Sequence, residues 1–437
     1  MDIFVIGFAL FAMFFGAGNL IFPPSLGHAY GSLWLLSGLA FSFMAVGLTI
    51  LSLISVARKR GDMFVFTSMA GKRLSKVIIL VVLSCVGPLN AMPRTSATTM
   101  EIFEAIGFKI NPLIFSLIFF GFVIFFALRE NSVVDMIGKF MTPILLISLA
   151  ILFLAGIIKP IGPISQMDIQ ATEVVGSSMI EGYNTMDSLA TLAFTIVIVK
   201  SLTAKGYKED LIKKTIQASL IAVVFLSIVY IGLAYLGATT SSLVDREFSR
   251  VDLLIFIADS LIGDIGKLVL GLAMMMACFT TATGLATSIS EIFSDFTNKK
   301  VSYRAAVIFA CMLSAILSVF GVENIVKLAV PLLVFIYPLI ILLVIFNLFD
   351  DKIDPTIVKA SFIVVTIICL IHAIKDMINT IGQVFNLDMG IWQKLADSLG
   401  ILVGQLPFDD LGFPWILPFI ITLIVSFIYT RVRKSKA

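Results

Sequence analysis

The first stretch that could do chemistry is Phe14–Asn19, which lies in the middle of an apolar run from about residue 3 to residue 27. It contains Gly16, Gly18 and Asn19. A glycine disfavours a helix interior by about 1 kcal/mol relative to alanine, and each backbone group freed in hydrocarbon costs several kcal/mol more. An interruption at membrane depth therefore indicates that the freed groups bind a solute or an ion. The alternative is that the glycines only allow another helix to pack closely.

An interrupted helix offers two kinds of backbone group at one point. If the helix ends at Phe15 and restarts near Asn19, the first half leaves carbonyl oxygens free and the second half presents free N–H groups. Carbonyl oxygens suit a hard cation such as Na⁺. Free N–H groups at the positive end of a helix suit a carboxylate. One interruption can therefore hold an amino acid together with a coupling ion.

Hydroxyl groups are dense between Ala277 and Ser288, which is also an apolar region. Most such hydroxyls bond to their own helix or to a neighbouring one. The adjacent pair Thr280-Thr281 has a second interpretation if it faces the carbonyls of the first run. Two hydroxyls with two or three carbonyls would then form a five-oxygen Na⁺ site.

Two charged residues lie deep within apolar runs. Arg94 follows Gly87-Pro88 and Pro93, and a lipid-facing charge at this depth costs at least ~2.5 kcal/mol. Arg94 is therefore expected to face the protein interior and to pair with Glu101 or Asp187, either as a gate near a substrate path or as a structural ion pair. Asp187 is either a proton relay or the N-cap of a restarted helix.

The composition is that of a membrane protein with many spans. The chain has 437 residues, 59% hydrophobic and 14% charged, whereas a soluble domain has about 25% charged residues. Apart from Arg94, the basic residues lie mainly in loops and do not form a nucleic-acid surface. No cluster of Cys and His has metal-ligand spacing, no clustered catalytic set indicates an enzyme, and no obligate protein partner is implied. The first run lacks the features of a signal peptide.

The apolar runs predict an all-α integral membrane protein with about twelve transmembrane helices. Basic residues are concentrated in the loops on the side of the N-terminus, which predicts a multi-pass membrane protein with both termini in the cytoplasm. The predicted spans cover 3–27, 33–57, 77–106, 111–128, 140–158, 178–200, 211–237, 254–293, 303–321, 324–349, 355–376 and 412–431.

Interruptions in the first and sixth spans, at 16–19 and 181–187, indicate two halves of five spans each. Because five is odd, the second half must be inverted relative to the first, which is typical of secondary transporters. The prediction is one transporter domain, 1–437, with a first repeat at 1–160, an inverted repeat at 172–349 and two additional helices at 350–437.

Two further segments lie outside the simple pattern of spans. The eighth span is too long for one crossing, so about ten residues before Gly266 are expected to form a separate outer helix. The amphipathic stretch 379–414, with Trp392 and the nearby Trp415, is expected to lie along the outer membrane interface.

Four motifs together resemble the bacterial branched-chain amino acid:cation symporters, the BrnQ-type carriers, which are similar to the amino acid–polyamine–cation superfamily. The resemblance covers most of the chain and implies import of leucine, isoleucine and valine with Na⁺. It also implies the five-plus-five inverted repeat of the leucine-transporter type. The motifs are Phe15–Pro24, Gly87–Thr95, Glu181–Asp187 and the Thr-rich part of the eighth span.

The resemblance also implies which residues hold the substrate and the ion. The Gly16-Ala17-Gly18-Asn19 stretch would bind the substrate carboxylate through the amides of Ala17 and Gly18, and Asn19 matches a ligand of a second Na⁺ in some transporters of that fold. The interrupted part of the sixth span would bind the substrate amine. That part comprises Tyr183, Asn184, Thr185 and Met186, and the Na⁺ ligands would be Ala12, Phe15, Ala277, Thr280 and Thr281.

The predicted function is therefore Na⁺ symport of branched-chain amino acids by alternating access, through an apolar side-chain pocket. Proton coupling through Asp187 is the main alternative within the same fold. A channel is a weaker alternative, because no ring of charges or filter sequence is evident.

Overall fold

The computed structural model describes residues 2–129, 133–207, 209–243, 248–349, 353–409 and 413–436, and within them the chain is helical and has no strand. Four residues used in the sequence predictions lie outside these ranges. They are Gly412, the start of the last predicted span, and three basic residues counted for the predicted orientation, Lys208, Arg246 and Lys352. The helices are α1 (Asp2–Phe14), α2 (Ala17–Tyr30), α3 (Trp34–Ser42), α4 (Leu48–Arg58), α5 (Met63–Thr67), α6 (Lys72–Val86), α7 (Ala91–Ala105), α8 (Pro112–Ala127), α9 (Val133–Met136), α10 (Thr142–Ile158), α11 (Ala171–Asn184), α12 (Asp187–Ala204), α13 (Leu211–Ala238), α14 (Arg250–Ile262), α15 (Asp264–Phe296), α16 (Tyr303–Leu317), α17 (Gly321–Phe349), α18 (Pro355–Phe385), α19 (Ile391–Gly404) and α20 (Ile416–Lys436).

Nine helical stretches in the described part of the chain are long and apolar enough to cross a membrane. This number differs from the predicted twelve for two reasons. The stretch Tyr303–Phe349 contains two predicted spans joined without a loop, and the apolar helices α1 and α8 are shorter than eighteen residues. The structure therefore describes an all-helical protein with many apolar spans.

The interruptions in the first and sixth predicted spans are present as the α1–α2 and α11–α12 breaks. The separate helix before Gly266 is also confirmed, since α14 ends at Ile262 and Gly263 turns the chain with a φ of 62°. A third break, Gly87–Asn90 between α6 and α7, was not predicted. Three predicted spans are thus interrupted within the core.

The predicted interfacial stretch 379–414 is partly wrong. Helix α18 continues through Phe385, so only α19 forms a separate helix in this region. Trp392 on α19 is exposed, as an interface position requires. Trp415 is instead buried and packs on Phe419 at a ring distance of 6.2 Å.

Helix α13 supports the first broken span along its length, since it packs against both α1 and α2. The α2–α13 approach depends on glycines. A Cβ at Gly237 would lie 2.6 Å from the carbonyl carbon of Pro24, and one at Gly27 would lie 2.7 Å from that of Ala234. Small residues that let backbones approach in this way are typical of membrane helix pairs. The position of α2 is therefore fixed by direct backbone contact.

Replacing Gly237 by Ala is expected to destabilise the protein, because the new methyl group meets backbone that cannot rotate away. Overpacking of this kind costs about 1–3 kcal/mol. The midpoint of thermal unfolding in detergent should fall for G237A. G121A is the matched control, since a Cβ at Gly121 in α8 meets nothing within 4 Å. Equal midpoints for the two variants would contradict this packing.

Candidate functional site

The break between α1 and α2 is short. Phe15 still donates its N–H to the carbonyl of Phe11 at 2.8 Å, and Gly16 is extended with a φ of −101° and a ψ of −165°. Helix α2 restarts at Ala17, two residues earlier than the predicted restart near Asn19. The amides of Ala17, Gly18 and Asn19 lie in the first turn and have no acceptor within their own helix. The predicted carboxylate-binding amides thus lie at a helix N-terminus.

The hydroxyls of Thr280 and Thr281 on α15 face the last turn of α1. Thr280 Oγ1 donates to the carbonyls of Ala12 at 2.8 Å and Ala277 at 3.0 Å. Thr281 Oγ1 lies 3.4 Å from the Ala12 carbonyl and 2.9 Å from the Met13 carbonyl. Backbone and hydroxyl oxygens therefore converge from two helices, which is the donor set that a hard cation prefers.

Two carbonyls at this cluster differ from the predicted ligand set. Phe15 takes no part in the hydrogen bonds that the described residues form here, whereas Met13, which was not predicted, does. Gly16 lies against the same cluster, since a Cβ there would be 3.1 Å from Thr281 Oγ1. The small residue at the break keeps the Thr281 hydroxyl accessible from the α2 side.

The second break, between α11 and α12, is narrower than the predicted 181–187. Helix α11 continues through Asn184, and the chain turns at Met186, which has a left-handed φ of 67°. A non-glycine residue adopts this conformation at some cost, and such residues cluster at functional sites. Asp187 is the first residue of α12 and Met186 occupies the N-cap, so the prediction of Asp187 as the N-cap is one residue out of register.

The third break, between α6 and α7, lies next to the second. Asn90 is buried and donates its side-chain amide to the sulfur of Met186 at 3.0 Å. The sequence signal for this break was Gly87-Pro88, because glycine weakens a helix and proline removes a backbone donor. Three broken helices therefore meet around one point.

Asp187 lies at the centre of a buried polar cluster. Its carboxylate accepts a hydrogen bond from the side-chain amide of Asn19 at 2.7 Å and lies 3.3 Å from the hydroxyl of Tyr230. Asn19 and Tyr230 also contact each other. Tyr230 on α13 is fully buried and was missed by the sequence analysis. The cluster ties the start of α12 to α2 and α13.

Arg94 on α7 is buried but does not form the predicted ion pair. None of the described salt bridges includes Arg94, and Glu101 instead accepts the backbone N–H of Val322 at 3.0 Å. The guanidinium donates to the carbonyls of Asn184 at 3.3 Å and Thr185 at 3.4 Å. The end of α11 leaves carbonyls unsatisfied, and these act as the partners of Arg94.

A closed cavity of about 20 Å³ lies among the three breaks, which is room for about one water molecule. Gly18, Tyr183 and Asn184 do not line it. The ring of Tyr183 stacks on Tyr337 at 3.5 Å instead. A branched side chain requires the cavity to widen. The predicted site residues that line it are Gly16, Ala17, Asn19, Arg94, Thr185, Met186, Asp187 and Thr281.

A wider cavity of about 380 Å³ is lined in part by Phe22, Glu181 and Arg250. Arg250 at the start of α14 lies 4.8 Å above the Phe22 ring and forms an ion pair with Glu181 at 2.5 Å. Arg94 lies on the cavity side, 6.0 Å from the same ring. This side of the site is therefore closed by an aromatic ring and an ion pair.

The fold is similar to that of two solved transport proteins. One is a manganese transporter of Eremococcus coleocola, with a TM-score of 0.58 and 12% identity over 98% of this chain and 95% of that one. The other is a Na⁺-coupled sialic acid symporter, with a TM-score of 0.57 and 13% identity over 87% of this chain and 88% of that one. At these identities the likeness shows the fold alone.

Sequence relatives extend over nearly the whole chain. The branched-chain amino acid permease BraB of Bacillus subtilis is 34% identical over 98% of this chain and 95% of its own length. The branched-chain amino acid transport system 2 carrier protein of Pseudomonas aeruginosa is 33% identical, over 99% and 96%. The permease BrnQ of Salmonella typhimurium is 30% identical, over 98% and 96%. These relatives are transport proteins, not enzymes.

Residues 1–433 match the model of the family described as branched-chain amino acid transport protein. Together with the broken helices and the relatives of similar length, this match means that the chain belongs to that family.

Proposed function

We propose that the protein carries branched-chain amino acids across the bacterial inner membrane by symport with Na⁺ and alternating access. One observation carries this proposal. The free amides of α2 lie on one side of Gly16, and the oxygens of Thr280 and Thr281 lie on the other side. A carboxylate and a cation bound there would lie side by side. Each would stabilise the other by opposite charge.

The Na⁺ would be bound by the carbonyl of Ala12 and the hydroxyls of Thr280 and Thr281, with Ala277, Met13 and Phe15 as further oxygen sources. In the present arrangement the two hydroxyls donate to carbonyls at 2.8–3.4 Å. An entering cation would turn the hydroxyl lone pairs inward and replace these hydrogen bonds.

The amino acid would lie between the three breaks. Its carboxylate would meet the first turn of α2, and its ammonium group would meet the carbonyls of Thr185 and Asn184 at the end of α11. Its side chain would occupy the space lined by apolar residues such as Phe14, Val86 and Leu285. Because this cavity now holds about one water molecule, binding requires movement of at least one half-helix.

The proposed mechanism also concerns the number, order and orientation of the spans. We infer twelve spans in a five-plus-five inverted repeat, with the repeats at 1–160 and 172–349 and both termini in the cytoplasm. The three broken helices support a site at the membrane midplane. The Arg250–Glu181 pair over Phe22 supports a closure that opens in another state of the transport cycle.

Proton coupling is the second candidate, and one observation favours it. Asp187 is a buried carboxylate in contact with two groups, Asn19 and Tyr230, next to the cavity. Buried carboxylates in membrane spans serve as proton carriers in other transporters.

Uptake of leucine into proteoliposomes tests the two candidates directly. Gradients of Na⁺, Li⁺ and H⁺ are imposed separately at a fixed membrane potential. The proposal predicts accumulation above equilibrium with the Na⁺ gradient and none with the H⁺ gradient alone. Accumulation driven by H⁺ in the absence of Na⁺ would refute Na⁺ symport and support proton coupling.

A further inference from the structure

Arg94 has hydrogen-bonding capacity that the protein does not use. It is 5% exposed, and its Nε has no hydrogen-bond partner among the described residues. Its bonds to Asn184 and Thr185 are 3.3 and 3.4 Å long, whereas an arginine bonds a carboxylate at about 2.7–2.9 Å. A guanidinium has five donors in a planar fork. Arg94 is thus a buried cation held by weak, replaceable contacts.

The guanidinium lies against the N-terminal turn of α2. A Cβ at Gly18 would be 3.2 Å from Nη2 of Arg94, so the glycine lets the guanidinium approach the backbone closely. The free amides of Ala17 and Gly18 and the positive end of α2 therefore adjoin a fixed positive charge. These features together favour a single anion.

The nearest acidic side chain is already engaged. The carboxylate of Asp187 accepts hydrogen bonds from Asn19 and Tyr230 and does not form an ion pair with Arg94. Both charges nevertheless line the same small cavity. A buried positive and a buried negative group that do not pair leave the cavity neutral overall. Such a cavity suits a ligand that is itself neutral but carries both charges.

We propose, on the basis of the transport function proposed above, that Arg94 binds the carboxylate of the transported amino acid together with the amides of Ala17 and Gly18. In the structure the guanidinium covers the carbonyls of Asn184 and Thr185. As the substrate enters, Arg94 moves to the carboxylate, and the two carbonyls accept the substrate ammonium group. Before the substrate enters, the guanidinium of Arg94 therefore donates to the same two carbonyls that later accept the ammonium group of the zwitterionic substrate.

This exchange requires both charges of the substrate. A carboxylate without an amine would draw Arg94 away and leave two buried carbonyls without donors, which costs about 1–3 kcal/mol for each group. An amine without a carboxylate would compete with Arg94 for the carbonyls and leave the α2 amides unused. An α-amino acid satisfies all of these groups at once.

Binding to the purified protein in Na⁺ tests the assignment. The ligands are leucine and 3-methylbutylamine, which has the same branched chain without the carboxylate. The wild type should bind leucine about 10- to 100-fold more tightly than the amine, the range expected for charge-assisted hydrogen bonds. In R94Q this ratio should fall by about 10-fold, to the preference that the amides of Ala17 and Gly18 provide alone. In R94K the ratio should be intermediate because the charge remains without the fork.

R129Q is the matched control, since it makes the same change at Arg129, at the end of α8, away from the cavity. It should keep the wild-type ratio. A merely structural role of Arg94 as a helix cap would weaken both ligands equally and leave the ratio unchanged, which would overturn the proposal. Failure of the wild type and R129Q to bind leucine would refute the transport function as well.

Gly18→Ala keeps the proposal testable if R94Q does not fold. The added Cβ would lie 3.2 Å from Nη2 of Arg94 and 2.9 Å from Cε2 of Phe22, and it should displace the guanidinium. G18A should lower the ratio of leucine to amine affinity by about 10-fold. A folded G18A protein with the wild-type ratio would contradict contact between Arg94 and the substrate carboxylate.

Discussion

Replacing Thr281 by Ala is expected to raise the Na⁺ concentration for half-maximal leucine uptake by about 10- to 100-fold. The variant removes a hydroxyl that lies 2.9 Å from the Met13 carbonyl and 3.4 Å from the Ala12 carbonyl. A contact to a charged group is worth roughly 1.5–3 kcal/mol, which corresponds to this range of affinity. Uptake at saturating Na⁺ should keep its order of preference among leucine, isoleucine and valine. Initial rates in proteoliposomes over a series of Na⁺ concentrations measure both quantities.

Thr287→Ala is the matched control for this experiment. Thr287 is buried in the same helix, but its hydroxyl donates at 2.9 Å to the carbonyl of Thr283, within its own helix. The variant should leave the Na⁺ requirement unchanged. A normal Na⁺ requirement in T281A, or an equal rise in T281A and T287A, would remove Thr281 from the ion site.

Replacing Asp187 by Asn is expected to reduce leucine uptake by about 10-fold or more and to leave the residual uptake driven by Na⁺. The carboxylate accepts hydrogen bonds from two donors, Asn19 and Tyr230. Both donors meet the same carboxylate oxygen, Oδ2, and an asparagine offers only a neutral amide oxygen there. Hydrogen bonds to a charged group contribute about 1.5–3 kcal/mol and neutral ones about 0.5–1.5 kcal/mol, so the cluster is weakened. The pH dependence of the residual uptake should match that of the wild type, because Na⁺ carries the coupling.

Two further variants serve as comparisons for D187N. Tyr230→Phe removes one of the donors and keeps the carboxylate, so its loss of uptake should be smaller. Glu101→Gln changes a carboxylate that bonds the Val322 amide outside the cluster, and its uptake should be close to that of the wild type. Loss of Na⁺ coupling or a changed pH profile in D187N alone would favour the proton-coupled mechanism.

The interruptions at Gly16 and Met186 were predictable because their signals are local. Glycines and polar residues in the middle of an apolar run have a large cost in hydrocarbon, whatever the rest of the fold. The same reasoning applies to Gly87-Pro88, where glycine and proline both weaken a helix, although the break there was not predicted. The exact ends of the half-helices, such as the restart at Ala17, depend on packing and were less accurate.

The partners of the buried polar groups were not predictable in the same way. Tyr230 lies in an apolar run without a distinguishing motif, and its contact with Asp187 depends on the packing of α13 along α2. Arg94 was expected to pair with a carboxylate, but the free carbonyls at the end of α11 take that role. Such pairings arise from tertiary contacts, which a pattern along the chain does not contain.

The proposed mechanism requires that an interrupted membrane helix holds an amino acid and a sodium ion next to each other. Two affinities of the purified wild-type protein test this most directly. The leucine affinity is measured across a range of Na⁺ concentrations, and the Na⁺ affinity is measured across a range of leucine concentrations. Each ligand should raise the affinity for the other by the same factor, as linkage requires. Leucine binding that is equally tight with and without Na⁺ would contradict it.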